Sequence, residues 1–453
     1  HYIIVNDLDF MSTPFNGIEA NFTGSLNGNN YTIHNLVLEN NALFHSIKDS
    51  AVVKNIRIDA PTLNISDKYI SVAIFANNLM GGLIDDGVSE NGTSMQSYIQ
   101  NIHITKPQII ATDDFRGILG GIVGEASFYS NIIDCSLSEA QIEAWYASSI
   151  GGIAGTISTS SQIANCLFLG NIDGGNEIGG ITSMASSNNK ITNCHTNANI
   201  YGTKKIVVGI AISDRARIAN CFVEGSIELD ASATEGRIGA IAAEVANSFT
   251  DTITPIIQNC IVNVESITIK NPAKKYIHRI AGYTSADTWE YNWDSIDYNE
   301  PQANWPKIYG TAEKCFKNNY VISALLPFDS NIATENTTTE GADYKDGLNT
   351  DWLTNLEYSL NDSPWSYNSN TGLTLWFELN PDGPITIPDN NDPVNIENNT
   401  SLSPITYSGE TISANGTITL YSVNGIKVAQ GLNNLSTSSI SQGVYIVIVQ
   451  GEK

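Results

Sequence analysis

We predict an all-β protein from this sequence: a right-handed parallel β-helix (solenoid) followed by a small C-terminal β-sandwich. Two phrases recur together along the chain, a glycine-rich apolar phrase and, some way after it, Ile-x-Asn-Cys. The units consist of short β-branched runs separated by Gly, Ser, Asn and Asp, without a sustained helical periodicity. Because a short repeated unit buries its apolar face only by stacking on its neighbours, these features together predict a solenoid.

The cysteines of the repeat give its period. Successive intervals are 31, 28, 27 and 39 residues, counted along Cys135, Cys166, Cys194, Cys221 and Cys260. A period of about 30 residues with three short strands matches one coil of a parallel β-helix, in which coils stack about 4.8 Å apart. A related pattern, apolar-x-Asn-apolar, occurs upstream of the cysteines, so we expect the solenoid to begin near the N-terminus.

The asparagine of each phrase is expected to mark a bend. In the unit around Asn165, a flat strand cannot send Ile163, Cys166 and Phe168 to one side, because side chains alternate with a period of two. Asparagine tolerates left-handed backbone geometry, and its amide can bond to the same amide one coil away. The sequence therefore predicts an internal asparagine ladder, with Asp134 as one rung, through Asn35, Asn55, Asn101, Asn165, Asn193, Asn220 and Asn259.

The five repeat cysteines are expected to form one inward column, with Cys315 outside it. An uninterrupted column of small apolar thiols is one interpretation, and disulfides between adjacent coils are the alternative, since the coil spacing permits a bridge. A column along a strand does not enclose an ion tetrahedrally, so we predict no metal site and no cofactor. The Gly-Gly pairs are expected to allow a positive φ or the close approach of two walls.

Three phrases carry a resemblance to a known family. Gly-Gly-Ile-x-Gly, Ile-x-Asn-Cys and the following Gly-x-Ile resemble the GLUG motif, a repeat of bacterial surface proteins. The resemblance covers roughly residues 1 to 285. It implies an adhesin-like scaffold on the cell surface and carries no catalytic residues.

Composition excludes some classes of partner. The chain has 453 residues and a formal net charge of −25. Such an excess of acids opposes nucleic-acid binding, which needs a basic surface. The chain contains no run of 18 apolar residues, so the sequence predicts no transmembrane segment. The chain opens at His1 without a signal sequence, and we expect a mature or truncated form of an exported protein.

An aromatic region follows the repeats, at about 285–378. It combines rings with carboxylates, which is typical of a sugar-binding platform, because rings stack on sugar faces and acids accept hydroxyl hydrogen bonds. The alternative is a cap over the open end of the solenoid, which would place the whole of 1–378 in one β-helix. The candidate ligand-binding residues are Trp289, Tyr291, Trp293, Asp294 and Trp305.

The end of the chain is expected to be a separate module. Residues 379–399 are rich in Pro, Asp and Asn and predict a linker. Within 400–453, two β-rich runs flank Asn424-Gly425, a strong hairpin signal. The phrases 420–425 and 443–447 resemble the C-terminal sorting domain of the type IX (Por) secretion system. That resemblance implies the outer-membrane secretion machinery of a Gram-negative bacterium as a partner and an extracellular or surface location.

Catalytic chemistry has little support in the sequence. His103 and His195 are expected to lie several coils apart and cannot converge, and we predict no catalytic residues. A glycoside hydrolase or polysaccharide lyase on the outer surface remains an alternative, since paired carboxylates can cleave a glycosidic bond. Its candidate acids are Asp85, Asp86, Asp113 and Asp114, and its candidate cations are Arg116 and Lys205.

One outward column is unusually apolar. It consists of the position two residues after each ladder residue, and it runs Val37, Arg57, His103, Ser136, Leu167, His195, Phe222 and Ile261. Either another part of the chain covers this strip or it binds a ligand. The first hypothesis for the protein is non-enzymatic adhesion to a glycan or a host surface protein, the second is a surface glycan-degrading enzyme, and the third is a structural spacer.

Overall fold

The elements that the structure describes are all β-strands. The computed structural model describes residues 1–84, 93–186, 188–214, 216–230, 235–246, 257–270, 274–284, 289–291, 307–309, 316–317, 319–321, 343–344, 365–368, 372–375, 378, 406–408, 411–422, 427–438 and 445–450. Among them, no helix has the length and apolar character needed to cross a bilayer.

Three parallel sheets make up the repeat region. The bend sheet contains Tyr2–Ile3, Leu8–Asp9, Pro14–Phe15, Ser25–Asn27, Thr32–His34, Val37–Glu39, Val52–Asp59, Thr62–Ile65, Ser97–Thr105, Gln108–Ala111, Ser130–Ile133, Ser136–Ala144, Gln162–Ala164, Leu167–Gly174, Lys190–Thr192, His195–Gly202, Arg217–Ala219, Phe222–Asp230, Ile257–Gln258, Ile261–Lys270, Phe316–Lys317, Tyr320–Val321 and Asp343–Tyr344. The seven-stranded sheet contains Ser71–Val72, Ile118–Gly120, Ser149–Gly151, Glu177–Gly179, Ile206–Val208, Glu235–Gly239 and Lys274–His278. The nine-stranded sheet contains Ile18–Phe22, Phe44–Lys48, Ala76–Met80, Val123–Ser127, Ala154–Ile157, Thr182–Ser186, Ile212–Asp214, Ala242–Ala246 and Ala281–Thr284.

The chain visits these sheets in a fixed order. From Glu177–Gly179 it passes to Thr182–Ser186, then to Lys190–Thr192, bends, and continues as His195–Gly202. Each of these strands pairs in parallel with its equivalent in the next unit. The repeat is therefore a stack of coils, an arrangement that fits a parallel β-helix.

Columns of isoleucine fill the interior. Strand register places each Ile before the bend against the Ile of the next coil, and every member is fully buried: Ile132, Ile163, Ile191, Ile218 and Ile257. Complete burial of one such side chain contributes about 1.5–3 kcal/mol. Each stacked isoleucine column thus contributes to the stability of the repeat.

The repeat glycines serve the close approach of two walls. A Cβ on Gly152 would lie 2.1 Å from the carbonyl oxygen of Gly180 and 2.6 Å from the Phe168 ring. The positive-φ glycines are others, such as Gly174 and Gly225. The Gly-Gly pairs of the repeat phrase therefore leave room for interior side chains and do not supply left-handed turns.

An asparagine ladder lines the bend. The bend residues have φ near the left-handed value, for example 54° at Asn165 and 56° at Asn220. Each amide Nδ2 donates to the side-chain oxygen of the preceding coil. The bonds run Asn259 to Asn220 at 3.4 Å, Asn220 to Asn193 at 3.0 Å, Asn193 to Asn165 at 3.0 Å, Asn165 to Asp134 at 2.9 Å, Asn101 to Asn55 at 2.8 Å and Asn55 to Asn27 at 2.9 Å.

The ladder is interrupted at Asp134. A carboxylate has no N–H group, so Asp134 cannot donate to Asn101. Instead, His103 Nε2 donates to Asn101 Oδ1 at 2.6 Å, and Gln100 Nε2 donates to Asp134 Oδ2 at 3.3 Å. Burial raises the pKa of Asp134, although its amide partners Asn165 and Gln100 oppose the change. The ladder consequently has two separate segments.

The inclusion of Asn35 in this ladder is wrong. The strand Thr32–His34 pairs with Arg57–Asp59, which places Asn35 beside Ala60 rather than Asn55. Ala60 has a φ of 49°, and Asn35 donates to Asp9 Oδ1 at 2.9 Å. The pattern apolar-x-Asn-apolar occurs at two different bends of the coil, and spacing alone did not separate them.

All five repeat cysteines are buried and free. Their thiols point to backbone carbonyls, as Cys166 Sγ does to Ala164 O at 3.3 Å. Burial raises the pKa of the Cys166 and Cys221 thiols. The structure therefore has the thiol column and not the disulfide alternative; Cys315 lies outside the described residues.

The C-terminal segment forms an antiparallel sheet. It contains Thr406–Ser408, Thr411–Ser422, Lys427–Ser436 and Tyr445–Gln450, with Thr411–Ser422 paired to each of the other three. The predicted turn Asn424-Gly425 lies outside the described residues, but the strands on its two sides pair as expected of a hairpin. The predicted linker 379–399 also lies outside them.

Candidate functional site

The aromatic cluster predicted to bind a ligand is described only in part. The strand Trp289–Tyr291 pairs antiparallel with Lys307–Tyr309. Trp293, Asp294 and Trp305 lie outside the described residues, as do the side chains of Trp289 and Tyr291. This binding site therefore stays a prediction.

The outward strip is one continuous column. Strand register joins its members in the order Arg57, His103, Ser136, Leu167, His195, Phe222, Ile261 and then Tyr320. Val37 does not belong to it, because Val37 pairs with Thr62 while Thr32 pairs with Arg57. The register error is the same one that misplaced Asn35.

The apolar end of the strip is covered. Phe222 and Ile261 are fully buried, although their side chains leave the coil. A hairpin of Trp365–Asn368 and Gly372–Leu375, together with Glu378, lies against this end, and we call these residues the strap. The Trp365 ring meets the Phe222 ring edge-on at 6.1 Å. Part of the predicted cap thus covers a side of the stack.

A buried histidine joins the strap to the coils. His195 stacks on Phe222 at 4.7 Å, and its Nδ1 lies 3.0 Å from Glu378 Oε2. Its Nε2 lies 3.3 Å from Glu224 Oε2, a distance suited to an ion pair but without hydrogen-bond alignment. Glu378 Oε1 also accepts the Leu375 N–H at 2.8 Å. One imidazole therefore lies between two carboxylates from different parts of the chain.

The protonated form of the His195 imidazole is favoured. Burial lowers the pKa of His195, but the close contacts and charges of Glu224 and Glu378 outweigh burial and raise the pKa from 6.5 to about 9. His195 is only 5% exposed, so it cannot reach a large ligand. Its chemistry is that of a clamp that holds the strap.

Exposed aromatic rings form a cluster away from the strap, at one corner of the coils. This aromatic corner lies where the chain leaves the bend sheet for the seven-stranded sheet. Tyr69 is 73% exposed, Trp145 40% and Tyr146 39%. Trp145 meets the Tyr201 ring edge-on at 6.0 Å, across the coil that carries Gly174 and Gly175. Without side chains at those glycines, rings two coils apart come into contact.

Backbone hydrogen bonds fix the corner. Successive coils are joined by Arg116 N to Lys68 O at 2.7 Å, Ser148 N to Gly117 O at 2.9 Å, Asn176 N to Ala147 O at 3.0 Å and Lys205 N to Asn176 O at 3.1 Å. Five coils at about 4.8 Å per step span about 19 Å. The rings are thus displayed along a regular edge rather than on independent loops.

Cationic side chains lie next to these aromatic rings. The Arg116 guanidinium lies 4.6 Å from the Tyr146 centroid, and Lys204 Nζ lies 5.6 Å from it. Lys68 lies 5.2 Å from the Tyr69 centroid. Four of the residues proposed from the sequence for enzymatic chemistry, Asp113, Asp114, Arg116 and Lys205, also belong to these corner turns, while Asp85 and Asp86 lie outside the described residues.

Two carboxylates lie beside the corner. Glu143 and Asp173 face each other in strand register, and Asp173 is followed in the same column by Tyr201. Burial, and next the charge of Glu143, raise the pKa of Asp173. Within the described ranges, no group of three or more His, Cys, Asp or Glu side chains is arranged to hold a metal ion.

No family model, curated protein or solved structure gives a significant match to the chain. The functional conclusion consequently depends on the geometry of the molecule. Sequence reasoning missed Trp145 and Tyr146. The available signal was their position in the turn before each glycine-rich phrase, where other units carry Tyr69, Arg116 and Lys204.

Proposed function

We propose that the protein is an exported, surface-displayed scaffold that binds a glycan through the aromatic corner without cleaving it. The carrying observation is that Tyr69, Trp145 and Tyr146 are exposed along one edge of stacked coils. Rigid rings with solvent-accessible area bind sugar faces at a low entropic cost. The interior of the described coils, in contrast, is filled by one cluster of buried apolar side chains.

The wider setting of this proposal comes from the sequence. The fine architecture that we propose is a right-handed β-helix followed by a C-terminal β-sandwich. The GLUG-like repeats support an adhesin-like surface protein, and the phrases near the C-terminus support export by a type IX system to the outside of a Gram-negative cell.

The test is binding of the intact chain to a glycan array. The Trp145→Ala variant should bind its best ligands about three- to tenfold more weakly, the range expected for loss of one ring contact. Phe128→Ala is the matched control, because Phe128 is 44% exposed at a different corner. Equal loss in both variants, or no loss in either, would refute the assignment to the corner, and an array without any retained glycan would favour the structural spacer.

The second candidate is a glycoside hydrolase. It is favoured by Glu143 and Asp173, a pair of acids one strand apart beside exposed rings. Carboxylates about 5 Å apart can act as acid and nucleophile. Release of reducing ends from a retained glycan, abolished in Asp173→Asn with binding intact, would establish this activity in place of simple binding.

A further inference from the structure

We infer that the aromatic corner selects acidic glycans, polysaccharides that carry carboxylate or sulfate groups. This inference rests on the proposed glycan-binding function and specifies its ligand class. It concerns the cations that accompany the rings rather than the rings themselves.

The first observation is the local charge balance. The corner turns 66–70, 112–117, 145–148, 175–176 and 203–205 contain four cations and three acids, whereas the whole chain has 22 Lys and Arg against 47 Asp and Glu. Charges farther apart than about 8 Å are largely screened at physiological salt. An anion that reaches the corner therefore meets a nearly neutral local balance, the four cations against these three acids and the adjacent Glu143 and Asp173, rather than the net charge of the protein.

The second observation is that three of these four cations have no ion-paired acid among the described residues. Within the described part of the chain, no carboxylate lies at ion-pair distance from Lys68, Arg116 or Lys204. Other cations are paired, as Arg237 is with Glu244 and Lys270 with Glu228. The Arg116 Nη1 donates to two backbone carbonyls, which fixes the group beside Tyr146.

The third observation is the placement of charge beside a ring. Tyr146 has two cations against its π-system, and the Trp145 ring is its neighbour in the chain. A sugar on the exposed Trp145 would present its carboxylate or sulfate to Arg116 and Lys204. Both rings are held by a rigid edge, so ring stacking and charge pairing occur together.

A purely structural role for the cations is the competing explanation, in which they brace Tyr146 and bind nothing. The two explanations differ in what they predict for charged and uncharged forms of one polymer. Bracing makes no distinction between these forms, whereas charge pairing favours the acidic form and weakens as salt rises.

The experiment uses the full chain and two matched pairs of probes. Polygalacturonate is compared with its methyl ester, and dextran sulfate with dextran, by affinity electrophoresis between 50 and 500 mM NaCl. We expect retention by at least one acidic polymer, weaker retention by its uncharged form, and loss with salt. The two pairs distinguish carboxylate from sulfate.

The variants isolate the cations. Lys204→Gln should weaken acidic-polymer binding by about two- to fivefold, and a second change, Lys68→Gln, by a similar further factor. Lys106→Gln is the control, since Lys106 is exposed on another bend. Equal melting temperatures confirm that the variants fold.

The outcomes separate the two proposals. If charged and uncharged forms bind alike and only Trp145→Ala weakens them, the glycan-binding function stands and the selectivity is refuted. If no probe is retained, or if Trp145→Ala binds every probe like the wild type, the corner assignment fails as well. Retention of polyglutamate as strongly as the acidic polysaccharides would replace the glycan with an acidic polypeptide and also overturn the inference.

Discussion

Replacement of His195 by glutamine tests the clamp that holds the strap. The groups that face the imidazole are Glu224 from the next coil, Glu378 from the strap and the Phe222 ring. Glutamine keeps a similar size and a polar end but carries no charge at any pH. The change therefore removes the cation between the two carboxylates and, at every pH, the ring that stacks on Phe222.

The expected loss of stability in His195→Gln follows from the affinity of His195 for its proton. The pKa of His195 is about 9 in the folded chain, against 6.5 in the absence of these contacts. With about 1.4 kcal/mol for each tenfold change in affinity, the proton contributes roughly 3 kcal/mol to the free energy of unfolding. Because the folded pKa is the higher one, this contribution is complete below pH 6.5 and is lost as the pH rises through 9.

The assay is urea unfolding of wild type and variant, followed by circular dichroism between pH 6 and pH 10. The stability difference should fall by roughly 3 kcal/mol between pH 6 and pH 10, down to the pH-independent contribution of the ring contact. Cleavage by a protease near 365–378 should increase in the variant at neutral pH, because the strap loses its clamp. His45→Gln provides the control, since His45 is exposed.

A stability difference between wild type and His195→Gln that does not change across this pH range would refute the reasoning. So would the same slope in His45→Gln, because the pH dependence would then come from other groups. An unchanged stability with faster proteolysis would show that the strap detaches independently, without a part in global unfolding.

Two further predictions concern the ladder and the thiols. Asp134→Asn should raise the free energy of unfolding by about 1 kcal/mol at pH 7, because the new amide can donate to Asn101 and no charge is buried. Since burial raises the pKa of Asp134, this gain should shrink in acid as the wild-type carboxyl is protonated, and thermal melts at pH 7 and pH 4 measure both effects. The five repeat cysteines should not react with a thiol reagent in the native protein and should react after unfolding in urea; fast native labelling of more than one of the six cysteines would contradict the buried column.

The interior of the coils was predictable because it obeys local rules. Period and side-chain parity identify the column of Cys166 and the bend at Asn165, and both concern residues close in sequence. Asn35 was misassigned because the N-terminal coils have a second left-handed bend, at Asn35, Ala60, Lys106 and Glu139, which can also carry asparagine. Only strand pairing, a contact between coils, distinguishes the two bends.

The surface was less predictable because it depends on contacts distant in sequence. Outward apolar residues such as Phe222 indicated a cover, but the covering hairpin at Trp365 comes more than a hundred residues later. The corner rings could be located only by their position before each glycine-rich phrase, because the turns vary in length and sequence from coil to coil. Their alignment appears only when Lys68, Arg116 and Lys205 are placed on one hydrogen-bonded edge.

The strap has a consequence for cooperativity. In a stack of coils, each unit contacts mainly its neighbours, so the end coil can open and close without the rest. The strap touches the coils of both His195 and Phe222. Its residue Glu378, which contacts His195, lies 183 positions farther along the chain. The strap therefore couples coils that would otherwise open one after another. The backbone amides of the coils beneath it should exchange their hydrogens with solvent as one group, at the rate of the slowest opening event.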